Sequence, residues 1–158
     1  MVGRINSIAI DDSKTSELAF DWYVQHYHRS EDSLTIFHLQ QIPKIPAMGL
    51  LSGSIEINDE YRAIIRDSVE KTRALLQKYK ALCHSFNIEF KVVLNDSYSS
   101  PGKMIVDMAK THNVDVIITG QRGLSQLSKF FLGSTSDYVL HNSHVPVIVI
   151  PPQINSTE

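Results

Sequence analysis

At 158 residues, with 42% hydrophobic and 20% charged residues, the chain has the make-up of one ordinary globular domain with a substantial core. A formal net charge of -2 gives no basic field for gripping nucleic acid, and a single cysteine, Cys83, excludes an intrachain disulfide framework or a multi-cysteine zinc site. The first residues, Met1-Val-Gly-Arg-Ile-Asn6, contain no apolar signal core, and no apolar run approaches membrane-spanning length. The expected class is therefore a reduced, soluble, cytoplasmic domain with no nucleic-acid or membrane partner. Asn95-Asp-Ser and Asn155-Ser-Thr match the glycosylation pattern, but without a secretion signal both are read as chance.

Ile5 to Ile10 is a short β-prone run that stops at Asp11-Asp12-Ser13, residues suited to capping the next segment. In that segment Leu18, Trp22 and Gln25 or His26 fall at helical spacing. Ser33 to Leu39 reads as a second strand. Gln40 to Ile57, with Pro43, Pro46, Gly49 and Gly53, has no clear periodicity, and a loop that long is usually functional or disordered. From Asn58 or Asp59 to about Phe86, apolar residues recur at Tyr61, Ile64, Ile65, Val69, Leu75, Leu76, Tyr79 and Leu82, predicting a long amphipathic helix. Ile88 to Leu94 predicts a third strand. Ser100-Pro101 opens a helix through Met104, Ile105, Met108 and Ala109. Val114 to Thr119 predicts a fourth strand, Ser134 to about Asn142 the last helix, and Pro146 to Ile150 a fifth strand. Strands alternate with helices throughout, so the expected fold is α/β: one open parallel sheet covered by helices on both faces. The domain is expected to span 1–152, with 153–158 a disordered tail.

In such sheets ligands sit beyond the carboxyl ends of strands, where the strand order reverses. The first strand ends in Asp11-Asp12-Ser13. The fourth runs into Gly120-Gln-Arg-Gly123, followed after nine residues by Gly133-Ser134-Thr135-Ser136. A Gly-x-x-Gly turn alone is a weak signal, because turns need glycine for their own sake. Joined to a preceding strand and a Gly-Ser-Thr helix start, it becomes a place where backbone N–H groups and hydroxyls can face a phosphate. The P-loop pattern is absent, as is Gly-x-Gly-x-x-Gly after the first strand, which argues against P-loop hydrolases and dinucleotide folds.

The pattern formed by Gly120, Gly123, Gly133, Ser134 and Thr135 resembles the ATP-binding signature of universal stress proteins. Ile10-Asp11-Asp12-Ser13 is similar to that family's first-strand ending, and His38-Leu39 to the close of its second strand. Ser100-Pro101, Val114 to Ile118 and Val145 to Ile150 match its later segments. The resemblance implies a Rossmann-like, five-stranded parallel sheet in the order 3-2-1-4-5. It also implies an adenine nucleotide (ATP, ADP or AMP, with Mg²⁺ as accompanying ion) across strands 1 and 4. Ile10, Asp11, Asp12 and Ser13 would then border the ligand, with Asp11 at the ribose and the Leu39 backbone at the adenine edge. Gly120, Arg122 and Gly123 would approach ribose and phosphates, and Gly133, Ser134, Thr135 and Ser136 would hold the phosphate tail. Asp12 stands where glycine is usual; a second carboxylate there repels phosphate unless it faces solvent or helps to hold Mg²⁺.

Other residues carry weaker signals. His141 and His144 are three apart, a metal-ligand spacing, yet histidine near a helix C-terminus is favoured by the macrodipole alone. His26 and His28 read as solvated, and His38 as either a pocket wall or a packed side chain. Cys83 beside His84 on a helix makes no nucleophile–base pair. Arg122 and Lys129 are cations between the glycines, and Phe130, Phe131 and Leu132 form an apolar clasp for that segment.

The intact glycines favour a nucleotide-dependent regulator over two alternatives, a slow Mg²⁺-dependent ATPase and a nucleotide-free dimeric interaction module. No catalytic residue set stands out. An adenylating enzyme is disfavoured because Asp11-Asp12-Ser13-Lys14 lacks paired glycines. Val145 to Ile150, an edge strand without charge, points to a homodimer through strand pairing.

Overall fold

The β-branched runs pair in parallel at the centre of the molecule. In the computed structural model, which describes residues 3–40, 59–96, 99–121 and 132–152, β1 (Ile5–Ile10) lies between β2 (Ser33–Leu39) and β4 (Val116–Gly120). Beyond them lie β3 (Glu89–Asn95) and β5 (Val147–Ile150), giving one five-stranded sheet in the order 3-2-1-4-5. The strand order therefore reverses between β1 and β4. Arg122, Gly123, Lys129, Phe130, Phe131, the 41–57 segment and the 153–158 tail lie outside the described residues.

Side chains alternate across the sheet, as a two-residue period requires. Ile8, Ile10, Leu34, Ile36 and Ile118 point to one face, where they pack against Ala19 and Phe20 of α1 (Lys14–Trp22) and Leu76, Tyr79 and Cys83 of α2 (Asp59–Ser85). Phe37 and Ile117 point to the other, against Ile105, Met108 and Ala109 of α3 (Pro101–Thr111) and Val139 of α4 (Ser134–Asn142). Each fully buried side chain of this size contributes about 1.5–3 kcal/mol, so these two layers supply most of the driving force for folding. The helices α3 and α4 touch so closely that a Cβ on Gly102 would lie 2.7 Å from the Tyr138 Cβ.

The strands start and stop within two residues of their predicted bounds. Two turns share one device that composition alone does not reveal. After α2 and after α3 the chain reverses through an asparagine in the left-handed region, Asn87 at φ 53° and Asn113 at φ 49°. In each, the next residue's N–H reaches back to the helix, Ile88 to the Cys83 carbonyl and Val114 to the Ala109 carbonyl.

One element departs from expectation. The first helix does not continue regularly to His26. It widens after Trp22 into a π-helical turn, Tyr23–Tyr27, closed by the His28 N–H on the Tyr23 carbonyl at 2.9 Å. The cause lies at the amino ends of the strands. The Tyr23 side chain is fully buried there, with its hydroxyl 3.2 Å from Asn6 Nδ2 and 2.9 Å from His28 Nδ1. Asp32, also buried, accepts from the Arg4 backbone N–H and Nε, pairs with the Arg4 Nη2, and accepts from Asn6 Nδ2. The extra residue in the helix turns Tyr23 into this network.

Candidate functional site

At the opposite, carboxyl end of the strands a cleft of about 680 Å³ opens over β1, β2 and β4. That is within the range of small-molecule sites. Its β1 wall begins with Asp11, whose Oδ1 accepts from the Ser13 backbone N–H at 2.9 Å, from the Ser16 hydroxyl at 2.7 Å, and from the Ser13 hydroxyl. Ser13 is the N-cap of α1, its Oγ accepting from the Ser16 N–H at 3.3 Å. The turn is thus an aspartate-led cap that fixes one carboxylate oxygen and starts a helix at once. Asp12 is exposed at the mouth of the cleft, and its charge acts on Lys71 of α2.

The β4 wall ends at Gly120. A Cβ there would lie 2.4 Å from the Thr15 carbonyl oxygen, so this glycine lets the first turn of α1 sit directly on β4. The Gly120 carbonyl accepts from the Ser136 hydroxyl at 3.2 Å. Ser136, nearly wholly buried, therefore commits its side-chain proton to the protein and has only its N–H to offer a ligand. Helix α4 is capped by Gly133, with no side-chain cap, and its first turn closes through the Asp137 N–H on the Gly133 carbonyl at 2.9 Å. The N–H groups of Ser134, Thr135 and Ser136 belong to the donors that a helix start leaves without intrahelical partners.

Of the residues expected at the site, Ile10, Asp11, Asp12, Ser13, Leu39, Gly120, Thr135 and Ser136 line this one cleft. Gly133 and Ser134 stand at the helix start just behind it. The sequence reading missed the whole α2 wall: Ile64, Asp67, Ser68, Lys71, Thr72 and Leu75. Their spacing is that of one helix face, and a search for mixed polar and apolar stripes would have found it. Asp96, Ser99 and Pro101 complete the rim, bringing the N-terminus of α3 to the same mouth as those of α1 and α4.

Among the described lining residues, four carboxylates (Asp11, Asp12, Asp67, Asp96) face one ammonium group, Lys71, which pairs with Asp67 at 2.7 Å. Hydrogen bonding to Asp67 raises the Lys71 pKa. Among the described residues, the helix N-termini of α1, α3 and α4 meet at this mouth, and its one ammonium group is already paired. His38 is both a wall and a packed side chain. It is 8% exposed, with Nδ1 3.1 Å from the Ile10 carbonyl oxygen and Nε2 3.4 Å from the Thr72 hydroxyl.

The other tempting residues lie elsewhere. His141 Nδ1 sits 2.9 Å from the Asp137 carbonyl oxygen, a contact within its own helix, and His144 is exposed. The His26 ring lies tilted beside Trp22, 5.7 Å between centroids. Burial pushes the Cys83 thiol up to about 11, leaving it inert at neutral pH. No helix among the described residues is long and apolar enough to cross a membrane.

The sequence pattern of the universal stress protein family matches residues 7–151. A universal stress protein of Synechocystis is 38% identical over 85 residues, which cover 54% of this chain and 70% of that protein. The fold superposes on a universal stress protein of Methanocaldococcus jannaschii with a TM-score of 0.74 at 19% identity, covering 98% of this chain and all of the other. An Arabidopsis thaliana family member, solved with AMP bound, gives 0.70 at 18% identity over 98% of this chain and 95% of its own. With the family pattern spanning nearly its whole length, the chain belongs to the universal stress protein family.

Proposed function

We propose that this chain binds an adenine nucleotide in the cleft at the β1/β4 reversal and acts in the cytoplasm as a homodimeric, nucleotide-dependent regulator. The observation that carries the reading is the meeting of an anchored aspartate, Asp11, with the glycine-capped start of α4 across one cleft of about 680 Å³. AMP in the Arabidopsis relative supports the same ligand class. In this reading Asp11 receives ribose hydroxyls and the Leu39 backbone the adenine edge. The N–H groups of Ser134, Thr135 and Ser136 hold phosphate oxygens, and Gly120, Arg122 and Gly123 close the pattern along the phosphate chain. Among the described residues no cluster of three or more His, Cys, Asp or Glu is arranged for a metal ion.

The test is mass spectrometry of small molecules released from the purified protein, followed by thermal unfolding with added ADP or ATP and Mg²⁺. Ligand at about one hundred times its dissociation constant raises stability by about 2.7 kcal/mol. No released nucleotide and no shift would leave the dimeric interaction module as the better reading. Steady phosphate release that disappears in Asp11→Asn would favour the slow ATPase.

The dimer rests on β5, which among the described residues pairs with β4 alone and carries Val147 and Val149 half-buried at its edge. An uncharged edge invites strand pairing with a second copy. Val149→Lys is expected to give a monomer in light scattering, and an unchanged dimer mass would refute this interface.

A further inference from the structure

Asp11 stands at the corner where the chain leaves β1 and enters α1, half-buried in the β1 wall of the cleft. A carboxylate at such a corner has two side-chain torsions to lose before it can meet a ligand in one orientation. Ser16, the third residue of α1, removes that freedom in advance. The Asp11 backbone N–H donates to the Ser16 hydroxyl at 3.0 Å, and the same hydroxyl donates to Asp11 Oδ1 at 2.7 Å. An amide N–H only donates and a carboxylate oxygen only accepts, so both directions are fixed. One hydroxyl thus ties the Asp11 side chain to its own backbone.

Helix α4 uses the same device on a different target. Ser136 is likewise the third residue of its helix and nearly wholly buried, and its hydroxyl likewise turns back to the end of a strand. There it meets the Gly120 carbonyl and fastens backbone. At α1 the hydroxyl meets a carboxylate that borders the ligand space. The α1 cap does not depend on it, because Ser13 supplies that cap by accepting from the Ser16 N–H at 3.3 Å. Apart from the Ser13 oxygen at 3.4 Å, the Ser16 hydroxyl has its hydrogen-bond partners on Asp11. Ser16 is 4% exposed and its one proton is committed, so it acts on a ligand through Asp11.

We propose that Ser16 is a positioning residue of this cleft: its hydroxyl fixes the Asp11 carboxylate in the orientation that receives sugar hydroxyls, and so makes the cleft select a ribose over a deoxygenated sugar. The inference rests on the nucleotide reading, in which Asp11 meets the ribose. A hydrogen bond from a sugar hydroxyl to a carboxylate is charge-assisted and worth about ten- to a hundredfold in affinity. It is realised in full only when the acceptor is held in place before the ligand arrives. Removing the Ser16 hydroxyl therefore leaves the carboxylate in the cleft and still erodes the preference for ribose.

Titration calorimetry of the full chain compares ADP with 2′,3′-dideoxy-ADP. The proteins are wild type, Ser16→Ala, Asp11→Ala and the double variant, each checked for folding by thermal unfolding. Wild type is expected to prefer ADP by at least about tenfold, and Ser16→Ala by about threefold or less, with dideoxy-ADP bound within about threefold of wild type. Added to Asp11→Ala, Ser16→Ala should alter the preference no further, because the hydroxyl acts through that carboxylate. Equal losses for both nucleotides in Ser16→Ala would reduce Ser16 to a structural residue and overturn the proposal, as would an unchanged preference. The free wild-type protein gives a second reading that needs no variant: Asp11 Hα–Hβ couplings should report one χ1 rotamer, and couplings averaged over rotamers overturn the proposal. Wild type that binds ADP and dideoxy-ADP equally defeats this inference alone, whereas wild type that binds neither defeats the nucleotide reading beneath it as well.

Discussion

At the amino ends of β1 and β2, Arg4, Asn6, Tyr23, His28 and Asp32 spend their hydrogen bonds on one another inside the protein. At the carboxyl ends of the same strands, a helix start without a side-chain cap and an exposed aspartate border an open cleft. The same strands therefore carry two kinds of polar chemistry. Buried groups that bond one another fasten β2 and the π-turn to β1, whereas groups left for an external partner cannot also serve as fasteners. The comparison predicts that damage at one end shows up in stability and at the other in ligand affinity.

The largest effect is expected from Asp32→Ala. Losing one partner of a buried ion pair costs several kcal/mol, discounted here to about 2–4 kcal/mol because the Arg4 side chain is 28% exposed. Urea unfolding should show this loss with ADP affinity unchanged; a parallel loss of affinity would mean the two ends are coupled. Next comes Gly120→Ala, whose new Cβ meets the Thr15 carbonyl. Overpacking of this kind costs about 1–3 kcal/mol, and here melting temperature and ADP affinity should fall together. A full-stability variant would remove the close contact from the account.

Acid probes the amino end without mutation. Burial would raise the Asp32 carboxyl, but hydrogen bonds from Arg4 and Asn6 outweigh it and hold the pKa at about 2, against an ordinary 3.8. A depressed carboxylate pKa gives stability that is complete above the ordinary value and disappears as pH falls through the lower one. That shift corresponds to about 2 kcal/mol. His28 adds an earlier, smaller limb. Burial lowers its pKa below 6.5, so stability begins to fall below that pH and levels off once the folded group is itself protonated. Unfolding free energy measured against pH should show both limbs, and His28→Phe should flatten only the upper one. The smallest effect belongs to Ser13→Ala, which removes the α1 cap and the hydroxyl donor to Asp11 while keeping the Ser13 N–H. A lost cap costs about 1 kcal/mol, and a larger proportional loss in ADP affinity would mark this turn as part of the binding end.

Much of the architecture was legible in the sequence because parallel strands buried on both faces read as apolar runs, and Ser100-Pro101 and Gly133-Ser134 punctuate the helices. The strand order came from family resemblance, not from periodicity. The π-turn was invisible because its cause is the placement of Asn6 and Asp32, distant in sequence, around Tyr23. For the cleft, strand ends announced themselves through Asp11 and Gly120, but the α2 wall did not. Reading α2 for its apolar face hid Asp67, Lys71 and Thr72, which border a ligand space rather than a core. Ser136 shows a subtler limit. Its residue type suggests a phosphate donor, and only geometry reveals that its hydroxyl is committed to Gly120.

The contact between Gly120 and Thr15 bears on how glycine signatures are used to sort relatives into binders and non-binders. With or without a ligand at this corner, this chain needs a residue without a side chain at 120, because the junction of α1 with β4 demands it. Gly133 is under no such demand from its backbone, which at φ -58° suits any residue. The two glycines are therefore unequal in this chain: packing alone accounts for Gly120, whereas the backbone at Gly133 does not call for a glycine.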